Sequence, residues 1–128
     1  MTVMHTLFLN QVDSTNLEAR RRWLTACKLH LSPAPFVVVA AQQSAGMGRS
    51  GRTWQSPAGG LWLSVGWPLR KSAETCAAAP LAVGLAAAEA LQECCGLHCA
   101  IKWPNDLLVN EKKLRGFYAN VNSAATHQ

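Results

Sequence analysis

The residues FVVVAAQ, beginning at Phe36, read as a buried strand, and LWLSVGW, ending at Trp67, reads as an aromatic one. Between them lies GMGRSGR, a loop of glycine and arginine that constrains both how the strands connect and what they can present. Gly46, Gly48 and Gly51 lack a Cβ, so the backbone there can take positive φ values and bring its amides close to a bound group. Arg49 and Arg52 add planar guanidiniums that match phosphate or carboxylate in paired hydrogen bonds. Amides and fixed positive charge together predict an anion cradle.

The glycine spacing also satisfies the dinucleotide fingerprint G-x-G-x-x-G after a strand. That fold requires a helix to begin inside the motif. TWQSPAGG instead supplies Pro57, Gly59 and Gly60, which excludes it. The plainer alternative is an arginine-bearing turn between two strands, with a glycine content that allows disorder when no ligand is bound.

With 128 residues the chain suits one domain, 1–128, able to bury roughly two-thirds of its unfolded surface. Hydrophobic residues at 49% and charged residues at 15% describe a globular chain rather than a disordered one. Of the net charge of +5, the run Arg20–Arg22 supplies three, which leaves little for a general nucleic-acid surface. Cys27, Cys76, Cys94, Cys95 and Cys99 form an odd set without zinc-ribbon spacing and without a secretory signal, which fits reduced thiols in a cytoplasm. Cys94 with His98, or Cys95 with Cys99, stand four apart, yet Gly96 ends the helix before either pair can share a face, so no metal site is expected. The apolar run from Cys76 to Leu91 contains Pro80 and Gly84 and falls short of the ~20 residues a membrane span needs.

In chain order, residues 3 to 12 predict a first strand, and DSTN precedes a helix over LEARRRWL. Thr15 and Glu18 have the separation of a capping box. Alternatively, or in addition, Ser14, Thr15 and Asn16 point hydroxyls, an amide and backbone donors into a pocket at the helix start. SPAP, residues 32 to 35, is a linker into the buried strand. In LWLSVGW, Leu61, Leu63 and Val65 alternate with Trp62, Ser64 and Gly66. A helix is expected from Ala79 or Pro80 to Cys95. IKWPNDLLVNEKKLRGFYANV reads as a short strand, a proline turn, and a hairpin of LLV with FYANV joined through NEKK. Lys102 and Lys113 flank these elements, where lysines are usually solvated. The pattern indicates an α+β domain with helices packed on a mainly antiparallel or mixed sheet.

Taken together, DSTN, QSAGMGRSGRTW, KWPND and KLRG resemble, in this order, the catalytic module of the biotin protein ligases, over residues 7 to about 118. The resemblance implies a class II synthetase-like biotin/lipoate ligase catalytic fold. It also implies an ATP-dependent reaction in which biotin becomes biotinyl-5′-adenylate, with release of pyrophosphate, before a lysine of a biotin carboxyl carrier protein displaces AMP. Pre-aligned amides and positive charge suffice for such a step, without a covalent nucleophile from the protein. By the same resemblance Ser14, Thr15, Asn16 and Gln43 hold the biotin head group, with Met47, Gly48, Arg49 and Lys113 completing the biotin site. Gly46, Gly48, Arg49, Arg52 and Trp54 belong to the ATP and adenylate site, with Lys102 and Asn105 near the phosphates and Mg2+. Arg49, Lys102 and Lys113 are the implied catalytic residues.

The family's loop usually reads G-R-G-R, and here Met47 stands in place of its first arginine. The chain also stops where the family's module continues through further strands, which leaves FYANV as an expected open edge through which two copies could pair. No DNA-binding domain precedes the module, so no repressor activity is expected. Lipoate ligases and octanoyl transferases share the implied fold and stand as the alternative activity. An inactive biotin-binding fragment is a third reading.

Overall fold

The apolar segment from Phe36 is the centre of the first sheet. In the computed structural model, which describes residues 4–69, 76–103 and 106–116, His5–Val12 forms β1, Thr15–Lys28 α1, Phe36–Met47 β2, Thr53–Ser56 β3 and Trp62–Gly66 β4. β2 pairs in parallel with β1, antiparallel with β4 along its first half, and antiparallel with β3 along its end. The parallel pair follows from the α1 crossover, since parallel strands cannot be joined by a tight turn. The sheet is therefore mixed, as the α+β reading allows. The chain divides into two compact units, Met1–Leu69 and Arg70–Gln128, and these elements make up the first.

The helix α1 packs on β2 and β4. Val38 and Ala40 on β2 are fully or almost fully buried, as is Ala19 on the helix itself, and a side chain the size of Val38 stabilises by roughly 1.5–3 kcal/mol when fully withdrawn from water. Ser14, Thr15 and Ser56 are buried as well. The alternation along β4 is the reverse of a simple hydrophobic-inward strand: Leu63 and Val65 are exposed, while Ser64 lies opposite Val38 and is half-buried. Small residues fit where aromatic rings crowd the sheet, since a Cβ on Gly66 would lie 2.3 Å from the Phe36 ring.

The start of α1 differs from the expected capping box. Ser14 is the N-cap, its hydroxyl accepting from the Leu17 amide at 3.4 Å. Glu18 turns outward to Arg21 and Arg22 at 2.8 and 3.0 Å instead of reaching back to the helix start. Two guanidiniums within one helical turn outcompete a single backbone amide for its carboxylate. Thr15 is thereby free of capping and faces the sheet.

In the second unit Ala79–Cys95 forms α2, Ala100–Lys102 β5, Asp106–Val109 β6 and Lys112–Gly116 β7. Pro80 stands in the first turn of α2, where its missing N–H has no role. Gly96 ends the helix in the left-handed region at φ 66°, with its amide and that of Leu97 bonded back to Gln92 and Leu91. The strands form an antiparallel sheet in the order β5-β6-β7, with α2 against β5 and β6. Leu107, on the central strand, is 1% exposed.

The hairpin is tighter than the sequence reading has it. Asn110 and Glu111 alone make the turn, with φ 51° and 63°, the signature of a two-residue hairpin loop. The return strand therefore begins at Lys112 and takes in Lys113, which the NEKK loop was expected to leave outside. FYANV, and with it the edge expected to pair two copies, lies outside the described residues. Among the described residues, no helix is long and apolar enough to cross a membrane.

Candidate functional site

A chain of hydrogen bonds runs across the inner face of the first sheet. Thr15 donates to Gln43 Oε1 twice, from its amide at 2.8 Å and from its hydroxyl at 3.1 Å. Because that donation uses the one hydroxyl proton of Thr15, the 2.8 Å contact with Ser64 Oγ has Ser64 as donor. At the other end Gln43 Nε2 donates to Ser56 Oγ at 2.8 Å, and Ser56 donates to the Trp54 carbonyl at 3.3 Å. Every hydroxyl proton in the cluster is thus committed in one direction. What remains is one N–H on Gln43 Nε2 and lone pairs on Thr15 Oγ1 and Ser64 Oγ, a donor beside acceptors.

Two local features assemble this cluster. A main-chain bond from Ala45 N to Asp13 O, at 2.7 Å, ties the turn before α1 to β2. Between Gln43 and Gly46 the β2–β3 register shifts, which sets Gln43 opposite Ser56 and Gly46 opposite Trp54. Asn16 is half-buried in the first turn of α1 and engaged in contacts of its own.

The arginine loop is a hairpin closed on itself. β2 continues through Met47, 55% exposed, and Arg49–Gly51 makes a single 3-10 turn before β3. The Gly48 amide donates to the Arg52 carbonyl at 2.7 Å, and the Arg52 amide to that of Arg49 at 3.4 Å. These two amides are therefore spent inside the hairpin, and the side chains of Arg49 and Arg52 carry its fixed positive charge. The expectation that all three glycines supply positive φ is corrected as well. Gly51 does so at 71°, accompanied by Ser50 at 58°, whereas Gly48 is extended at −96°. Gly46 is a glycine for lack of room, because a Cβ there would lie 2.7 Å from both Ser56 Oγ and the Trp54 carbonyl oxygen. Trp54 is half-buried, its ring 3.5 Å from where a Gly48 Cβ would stand.

In the second unit one expected residue pairs in strand register with Asp106 and another bonds its carboxylate. Lys102 stands opposite Asp106 in the β5–β6 register, and Lys113 Nζ lies 3.0 Å from Asp106 Oδ1. Asp106 fixes a flexible lysine head on a strand and was missed by the sequence reading, though it is the last residue of KWPND. Ser56 and Ser64 were missed too. The signal for Ser64 was present, as a lone hydroxyl between apolar residues on an aromatic strand. Asn105 lies outside the described residues. Among the described residues, no group of three or more His, Cys, Asp or Glu side chains could hold a metal ion.

Beside the cluster, Asp13 receives both guanidinium nitrogens of Arg21 at 2.9 Å and the Ser14 amide at 2.7 Å. The Arg21 hydrogen bonds, aided by that amide, lower the Asp13 carboxyl to about 2. A carboxylate whose folded pKa is depressed contributes stability above its unfolded value and loses it as pH falls toward the folded one. Asp13→Asn should therefore melt slightly below the wild type at pH 6, and the gap should close between about pH 4 and pH 2. With both partners half in solvent, the effect belongs to the range of surface ion pairs. Melting curves for the two proteins across that interval test it, and a gap as wide at pH 2 as at pH 6 would contradict it.

Residues 9–128 match the model of the biotin/lipoate A/B protein ligase family. Among curated relatives, the chain is 36% identical over 97 residues to the bifunctional ligase/repressor BirA of Bacillus subtilis, spanning 72% of this chain and 29% of that protein. It is 40% identical over 117 residues to the biotin–[acetyl-CoA-carboxylase] ligase of Paracoccus denitrificans, spanning 84% and 43%. The Leishmania major biotin protein ligase in complex with biotin superposes with a TM-score of 0.83 at 34% identity, covering 95% of this chain and 53% of that one. The same enzyme in complex with biotinyl-5-AMP gives 0.76 at 37% identity, covering 88% and 50%. The chain thus spans between a quarter and a half of the curated relatives and about half of the solved chain.

Proposed function

Because the chain belongs to the biotin/lipoate A/B protein ligase family, we propose that it activates biotin with ATP as biotinyl-5′-adenylate and passes the biotinyl group to a lysine of a biotin carboxyl carrier protein. The observation that carries this reading is the polarity of the Thr15–Gln43–Ser64 cluster, one N–H donor beside oxygen acceptors. A cyclic urea has the complementary pattern, a carbonyl oxygen flanked by N–H groups. A dithiolane or alkyl head has neither, and would leave those groups desolvated and unmatched at roughly 1–3 kcal/mol each. This favours biotin over lipoate or octanoate.

In the first step a biotin carboxylate oxygen attacks the α-phosphorus, the bond to the β-phosphate oxygen breaks, and pyrophosphate leaves. In the second, a lysine amine attacks the acyl carbon and AMP leaves. Arg49 neutralises the approaching anions, with Arg52 beside it, Met47 and Gly48 shaping the loop and Trp54 lying along the nucleotide. Lys102 and Lys113 act on phosphate and carboxylate charge, Lys113 oriented by Asp106. Asn16 and Ser14 support the head-group end, and Asn105 the phosphates. Magnesium, if it accompanies the nucleotide, would be met by Asn105 beside Lys102 and would supply charge neutralisation at the phosphates. The reading also implies a cytoplasmic setting, where ATP and carrier protein are both available.

Titrating biotin and lipoate separately into the 128-residue chain, then following pyrophosphate release with ATP, tests the proposal. Biotin should bind in preference to lipoate, and release should require both substrates. Equal affinity for the two would remove the specificity claim. Arg49→Ala and Lys113→Ala should each lose a charge-assisted hydrogen bond worth about 1.5–3 kcal/mol, a tenfold to hundredfold fall in affinity or rate. Normal turnover by either variant would take that residue out of the site.

A further inference from the structure

Ser56 is 4% exposed and bonded on both sides, to Gln43 Nε2 at 2.8 Å and to the Trp54 carbonyl at 3.3 Å. Its single proton goes to the carbonyl, so it is a lone pair that meets Gln43. On the far side of the same amide, Thr15 fills Oε1 with two donors. A glutamine head ends a side chain with several rotatable bonds, and an amide held at only one end would sweep through a range of directions. Held at both ends, it keeps its last N–H on one line.

Resting on the biotin reading above, we infer that Ser56 is a positioning residue for head-group recognition: it aims the remaining Gln43 N–H at the ligand carbonyl without touching the ligand. Its placement is built into the strands. The register shift after Gln43 sets Ser56 across from it, and the absence of a side chain at Gly46 leaves the hydroxyl room, since a Cβ would stand 2.7 Å from it. A serine kept only to fill a buried strand end would need neither feature.

A double-mutant cycle on the full chain separates the two roles. Biotin is titrated calorimetrically into the wild type, Ser56→Ala, Gln43→Ala and the double variant, with ATP titrated into each and a melting curve recorded. Ser56→Ala should weaken biotin roughly fivefold to tenfold, the worth of one hydrogen bond. In the Gln43→Ala background the same change should do nothing, and ATP affinity should hold throughout. Unchanged biotin affinity in Ser56→Ala, or losses that simply add in the double variant, would overturn the inference while leaving the ligase reading intact. A folded wild type that binds no biotin overturns both. If Ser56→Ala fails to fold, Ser56→Cys, which keeps a side-chain atom at the γ position and substitutes a weak sulfur acceptor, goes through the same cycle.

Discussion

Alanine at Gly46 is expected to remove most of the protein's affinity for the head group and part of its fold. The added Cβ would lie 2.7 Å from Ser56 Oγ, 2.7 Å from the Trp54 carbonyl oxygen and 3.0 Å from Gln43 Nε2. The hydroxyl could rotate away, but the carbonyl belongs to the strand residue paired with Gly46 itself. Either β3 shifts or the end of the hairpin opens. Overpacking of this kind costs about 1–3 kcal/mol, and loss of the Gln43–Ser56 bond adds about 1 kcal/mol. The first is a cost to folding, and the second corresponds to a fall in biotin affinity of roughly fivefold to tenfold. Gly48→Ala is the matched comparison for the fold, because Gly48 is extended and its nearest neighbour is 3.5 Å away. The first variant should melt well below the second. Equal melting midpoints would show that the hairpin yields more easily than its pairing suggests.

Leu107→Ala should be the most damaging single change in the second unit. Leu107 is 1% exposed on the middle strand, between β5 and β7, so its removal leaves a cavity that neighbours on both sides are poorly able to fill. Such truncations cost about 2–5 kcal/mol. Leu114, on the adjoining strand and 47% exposed, provides the contrast, and its alanine variant should stay within about 0.5 kcal/mol of wild type. Urea titrations followed by far-ultraviolet dichroism read both, and a Leu107→Ala midpoint close to that of Leu114→Ala would show that the sheet does not depend on this side chain.

The ends of α2 were legible because proline and glycine act locally: Pro80 can stand only in a first turn, and Gly96 takes a left-handed φ that closes the last one. The start and sheet role of β2 were legible from its apolar run, but its length was not, because the strand carries on through residues 42–47, partly in what reads as loop. The cap of α1 was not, since choosing between Ser14 and Thr15 depends on what Glu18 and Thr15 find elsewhere, two arginines for one and Gln43 for the other. The loop glycines look alike in sequence, and only the strand pairing separates Gly46, which needs space, from Gly51, which needs its φ. Asp106 escaped notice for a related reason. Strand register, fixed by a two-residue turn, sets Lys102 opposite Asp106 and brings Lys113 to its carboxylate.

The members of the Thr15–Gln43–Ser56–Ser64 cluster come from a helix start and three different strands, and the Thr15–Ser64 bond alone closes a separation of 49 positions. No shorter piece of the first unit contains all four. Long-range closures of this kind are made late, after the entropy of bringing distant segments together has been met. A chain emerging from the ribosome therefore has no head-group site until Ser64 has been added and its strand has paired, and a ligand recognised by the cluster can hold only the finished unit. Ligand present at a hundred times its Kd would then deepen the folded state by about 2.7 kcal/mol. On the biotin reading, the small molecule would steady the last-formed contacts of the sheet as well as enter the reaction.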